Sequence, residues 1–151
     1  MNTVRFGRWE LSCDREATAK AYAAVDKAGP EACACEGCLN FIALRSQVYP
    51  AEILALFEEL GVSPIREAEV YSLGPLASGK QLYGGWLHFV GTIVSAPDPF
   101  AEPENSVYDP EFTFDLDFTT RYAPPLVPLK GLPLVQIEFH VAVPAIIPTH
   151  E

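Results

Sequence analysis

The stretch Phe112-Thr113-Phe114-Asp115-Leu116-Asp117-Phe118-Thr119 places an aromatic or aliphatic side chain at every second position, with threonine or aspartate between. A period of two marks an extended strand with one dry and one wet face, because successive side chains of a strand point to opposite sides of its sheet. A proline-rich connection through Pro124, Pro125, Pro128 and Pro133 follows, and the pattern then returns. Val135, Ile137, Phe139, Val141 and Val143 form one parity and Gln136, Glu138, His140 and Ala142 the other. Phe114, Leu116, Ile137 and Phe139 are therefore expected to be buried.

Upstream, Glu69 to Leu73 reads as a short strand and Gly74 to Lys80 as a hairpin loop leading into a long strand, Gln81 to Ser95. Both parities of that strand are apolar, with Leu87, Phe89 and Ile93 against Trp86, Val90 and Val94. It is expected at the centre of the sheet, covered on both faces. Near the start of the chain Trp9, Leu11 and Cys13 alternate with Arg8, Glu10 and Ser12, so Val4 to Cys13 reads as a further strand. Between these strands the period changes. Asp14 is placed to cap a helix over Arg15 to Ala28, with Ala17, Ala21, Ala24, Val25 and Ala28 on one face and Gly29-Pro30 as its stop. Phe41, Leu44 and Val48 mark a second helix. Pro50 opens a third, in which Ile53, Leu54, Leu56, Phe57 and Leu60 form the buried stripe and Gly61 the cap. Helices first and strands after predict an α+β fold, with about three helices in the N-terminal half and a mainly antiparallel sheet of about four or five strands. No domain boundary interrupts residues 1–151, so one domain is expected.

The chain has 151 residues, of which 49% are hydrophobic, enough for a core without disulfides. Its 20 acids against 10 bases give a net charge of -10. That charge repels phosphate backbones and anionic lipid, so neither nucleic acid nor a membrane is expected as a partner. Residues 1–10 lack an apolar signal core, and the uncharged run Gln81 to Pro97 is broken by Gly84, Gly85, His88 and Gly91. A soluble, cytoplasmic protein is the expectation.

All four cysteines fall in the first quarter of the chain, at Cys13, Cys33, Cys35 and Cys38, the last three within Cys33-Ala34-Cys35-Glu36-Gly37-Cys38. Thiolates at this spacing suit structural zinc, and Gly37 is expected to let the loop at residues 30–38 wrap around it. Cys13 is the difficult fourth ligand. A helix over Arg15 to Ala28 is about 21 Å long, while the residues from Gly29 to Cys33 reach back at most about 14 Å. His88, His140 or a carboxylate is the alternative fourth ligand. Two other readings stand beside zinc: four reduced thiols packed as small apolar residues, or a redox pair Cys35 and Cys38 at a helix N-terminus. A disulfide framework does not fit a reducing compartment.

Three further groups of residues suggest function. The polar parity of the last strands offers Asp115, Asp117, Glu138 and His140, with His88 from the central strand. That set suits a hydrolase, or simply a solvated sheet face. Tyr83-Gly84-Gly85-Trp86 marks either a bulge or a place of close approach. The segment after Ala96 carries Asp98, Phe100, Glu102, Glu104, Tyr108, Asp109 and Glu111, acids and aromatics without a base, among four prolines. It reads as a recognition surface for a basic protein, as an inhibitor or immunity-type protein requires. No phosphate-binding loop, nucleophile elbow, HExxH or EF-hand sequence occurs. The first expectation is thus a partner-binding protein with a zinc-pinned loop, and the alternative is an enzyme, either a thiol oxidoreductase or a hydrolase.

Overall fold

The structure, a computed structural model, describes residues 1–98 and 112–146. The segment expected to be one strand is a hairpin of β1 (Asn2–Phe6) and β2 (Trp9–Cys13), because Gly7 takes a left-handed φ of +55° and reverses the chain. Asp14 caps α1 (Arg15–Ala23) through its carboxylate, which accepts the Ala17 N–H at 3.0 Å. The helix stops well before Ala28. Gly29-Pro30 does not close it but opens a short helix, α2 (Gly29–Cys33), where proline's fixed φ and missing N–H suit the first turn. Ala34 turns left-handed at φ 53°, Cys35 is the N-cap, and α3 (Glu36–Val48) begins. The expected Cys-rich loop is therefore mostly helical, which raises the number of α-helices among the described residues to four. α4 (Ala51–Leu60) follows Pro50 and ends on Gly61, as the sequence implies, burying Ile53, Leu56, Phe57 and Leu60. Leu54 lies outside the stripe, 40% exposed.

β3 (Glu69–Pro75), β4 (Gln81–Ser95), β5 (Phe114–Thr119) and β6 (Leu134–Val143) complete a six-stranded antiparallel sheet. Its order is β1-β2-β4-β6-β5, with β3 paired to β4. The fold is α+β, with one strand more than expected because the N-terminal segment folds back. β4 is central. Its first half pairs with β3 and its last residues with β2 along one edge, while β6 runs along the other.

Leu87, Phe89, Val135, Ile137, Phe139 and Val141 form the helix-facing side of the sheet and pack on Phe41, Tyr49, Phe57 and Leu60. Phe139 is the hub, with the rings of Phe41, Tyr49 and Phe114 around it. Ile137 and Phe139 are fully buried, but Phe114 and Leu116 are only partly so. Among the described residues β5 pairs on one side only, and its start is more open than its end, where Phe118 is buried against Phe6 and Trp9. Gly84 and Gly85 mark close approach: a Cβ on Gly84 would sit 2.4 Å from the Tyr71 ring, and one on Gly85 2.6 Å from that of Phe139. Among the described residues, no helix is long and apolar enough to cross a membrane.

Candidate metal centre

The helix pair α2–α3 brings three thiols to one point. The sulfurs of Cys33, Cys35 and Cys38 lie within 4.8 Å of one another. Three local features cause this. Cys33 ends α2, the left-handed Ala34 reverses the chain, and Cys35 caps α3 so that the Cys38 N–H donates to its Sγ at 3.4 Å. Cys33 and Cys35 are exposed and Cys38 is buried. The Cys38 N–H, the Cys33 thiol and the helix N-terminus favour the charged form of Cys35 and lower its pKa. Burial, then the neighbouring thiols, pushes Cys38 up. Tetrahedral zinc with bonds of about 2.3 Å needs sulfurs about 3.8 Å apart, so a contraction of about 1 Å or less converts the cluster into one face of such a site. The three thiols can hold a metal ion.

Hydrogen bonds tie this cluster to the sheet. Tyr83 of β4 donates its hydroxyl to the Gly37 carbonyl at 2.9 Å and accepts from Asn40 Nδ2 at 3.1 Å. The buried Asn40 also donates to the Pro144 carbonyl at 3.2 Å and accepts from the Ile146 N–H at 2.8 Å, linking α3 to the chain beyond β6. Gly37 is not there for a strained turn; a Cβ on it would meet nothing closer than 3.8 Å.

A buried ionic network fixes α2 from the other side. Arg45 of α3 pairs with Glu31 of α2 and, at 2.7 Å, with Glu67, whose carboxylate also accepts the Tyr49 hydroxyl at 2.9 Å. Glu67 is fully buried, and burial raises its pKa even though Arg45 and Tyr49 oppose the shift. Its carbonyl accepts the Gly29 N–H at 2.9 Å, and a Cβ on Gly29 would lie 2.3 Å from the Ala68 carbonyl oxygen. Glu67 thus holds the first turn of α2 against the chain entering β3. The sequence carries little sign of this network: Glu31 and Arg45 are single charges among uncharged neighbours, and Glu67 lies within the charged run Arg66-Glu67-Ala68-Glu69.

Cys13 lies apart from the other three. It is wholly buried in the core, its Sγ donating to the Leu60 carbonyl at 3.3 Å, and burial raises its pKa. Neither histidine proposed as a fourth ligand joins the thiols. His88 is fully buried, with Nε2 3.1 Å from Gln136 Oε1, and burial lowers its pKa. His140 lies 2.9 Å from Asp115, which holds its imidazole above the ordinary range.

The polar sheet face assembles in the expected register, with Asp115 opposite His140 and Asp117 opposite Glu138. It provides one oriented imidazole beside a carboxylate, and Gln136 Nε2 donates to Glu138 at 2.8 Å. Of the residues read as a recognition surface, Asp98 is exposed, while Phe100, Glu102, Glu104, Tyr108, Asp109 and Glu111 lie outside the described residues. No protein-family model, curated protein or solved structure matches the chain.

Proposed function

We propose that this chain is a partner-binding protein in which Cys33, Cys35 and Cys38 hold one zinc-class ion as a structural fastener. The observation that carries the reading is the convergence of the three sulfurs within 4.8 Å where α2 and α3 meet. Three thiols ionised this close together repel unless a cation sits between them, and a borderline-soft divalent ion supplies that charge. Once bound, it ties the two helices together. The Tyr83 and Asn40 hydrogen bonds carry the restraint into β4 and the chain after β6. Structural zinc contributes on the order of 10 kcal/mol in small metal-dependent domains. The partner would be a basic protein surface, met by the acidic segment from Asp98 to Glu111, because a net charge of -10 steers cationic partners inward.

The test is thermal unfolding of protein purified without chelator. A strong chelator should lower the midpoint, and Cys35→Ser should both lower it and abolish the chelator response. A wild-type midpoint indifferent to chelator defeats the structural-metal reading. For the partner, a pull-down should lose its protein when Asp98, Glu102, Glu104, Asp109 and Glu111 become Ser or Asn. The same capture with both baits removes the segment from the proposal.

One observation favours a second reading, a thiol oxidoreductase. Cys35 is exposed at the N-terminus of α3, Cys38 is buried one turn on, and the Cys38 N–H points at Cys35 Sγ. An attacking and a resolving thiol are disposed in this way. Rapid alkylation of Cys35 in metal-loaded native protein would favour it, since a zinc-bound thiolate reacts slowly.

A further inference from the structure

The geometry of the cluster points beyond a closed structural site. We propose that an ion held by Cys33, Cys35 and Cys38 keeps one coordination position facing solvent, and that this position takes the thiolate of a low-molecular-weight thiol. The inference rests on the metal-binding reading above.

Zinc-class ions bound by thiolates take four donors at tetrahedral corners, and three sulfurs define only one face of the tetrahedron. The direction of the remaining corner follows from what surrounds that face. On its inner side Cys38 is buried, and the nearby polar groups are already engaged. The Tyr83 hydroxyl donates to the Gly37 carbonyl and accepts from Asn40, while Asn40 also bonds Pro144 and Ile146. On its outer side Cys33 and Cys35 are exposed. Among the described residues no histidine or carboxylate lies with the three sulfurs. The two histidines of the sheet are turned to other partners, His88 to Gln136 and His140 to Asp115. Among the described residues, then, the fourth corner opens past the exposed Cys33 and Cys35 toward solvent, so the ion can fasten the two helices and still exchange one ligand.

The chemistry of the other three donors selects the ligand. An ion already bound by three thiolates is held in a soft environment, and sulfur competes there better than water or carboxylate oxygen. The site also sits at the N-terminus of α3, whose dipole favours an anionic donor over a neutral one. On binding, the incoming thiol gives its proton to solvent, its sulfur bonds to the metal and the water in that position leaves. No electron is transferred. The coordinating thiol stays deprotonated at neutral pH because the cation stabilises its charged form.

The experiment uses the full chain loaded with Co(II) under nitrogen, with 2-mercaptoethanol as the probe. Sulfur-to-cobalt charge-transfer absorption reports thiolate ligation, and the visible ligand-field bands report the coordination sphere. The proposal predicts a saturable titration in which charge-transfer absorption grows by the contribution of an added sulfur while the ligand-field bands shift. The thioether analogue, 2-(methylthio)ethanol, should leave both unchanged. Cobalt bands present but indifferent to thiol would mean that the chain itself closes the fourth position, and that result overturns this inference alone. Loss of the bands as the probe extracts the metal overturns it too, because no ternary complex forms. Failure to develop a charge-transfer band with Co(II) overturns the metal-binding reading, and this inference with it.

Discussion

Replacing Arg45 with leucine tests the buried network that seats α2. The guanidinium is 12% exposed and bonds Glu67, whose side chain is 0% exposed, at 2.7 Å. Leucine fills much of the space but donates nothing, so Glu67 keeps the Tyr49 hydroxyl as a donor while losing its counter-charge. Removing one partner of a buried ion pair costs about 3 to 5 kcal/mol, chiefly because the surviving charge is stranded. The Glu31 arm is 29% exposed and adds little of that, about 1 kcal/mol or less after solvent screening. The penalty also has a predictable pH dependence. Burial already raises the Glu67 pKa, and losing Arg45 raises it further. A carboxyl whose folded pKa exceeds its unfolded value contributes stability below the unfolded value, and that contribution is lost as pH rises through the folded one. The Arg45→Leu penalty should therefore be larger at about pH 7 than at about pH 5, because it shrinks as falling pH lets Glu67 take up a proton. Denaturant unfolding followed by tryptophan fluorescence at both pH values measures it, and Arg45→Leu/Glu67→Gln should recover most of the loss. A cost below about 1 kcal/mol, or one identical at the two pH values, would refute this account of Glu67.

Two other perturbations separate packing from conformation. Gly29→Ala should strongly destabilise the fold, since its Cβ would sit 2.3 Å from the Ala68 carbonyl oxygen, whereas Gly37→Ala, with nothing nearer than 3.8 Å, should be neutral or slightly stabilising in urea melts. Phe139→Ala should cost about 3 to 5 kcal/mol and Phe114→Ala measurably less, because the second ring is on an edge strand and already partly solvated; equal losses would mean that β5 is covered in solution.

The strand periodicity at 114–119 and 135–143 was readable because alternate residues of a strand face opposite sides of its sheet; in β6 one parity is wholly buried, while the other is part buried, with Glu138 and His140 half-exposed. The central position of β4 was legible for a related reason: both its parities are apolar. What the sequence concealed depends on contacts distant along the chain. Gly29-Pro30 has the composition of a helix stop, and only the bond from Gly29 N–H to the Glu67 carbonyl reveals it as a helix start. Phe114 reads like Phe139 and like Phe118, yet only the last two are buried, and alternation does not encode where along a strand the packing closes. At the candidate site the close spacing of Cys33, Cys35 and Cys38 signalled their convergence. Cys13 shares their chemistry, but an inward strand position places it in the core, where Leu60 accepts its thiol. Sequence spacing carries no information about that partner.

The central claim, that the three thiols bind one ion, is tested most directly by native mass spectrometry of protein purified without chelator and supplied with zinc. The account predicts one zinc per chain, lost from each of Cys33→Ser, Cys35→Ser and Cys38→Ser and retained in Cys13→Ala. A folded wild-type chain that carries no zinc, or a Cys13→Ala variant that loses it as completely as Cys35→Ser, would contradict that account.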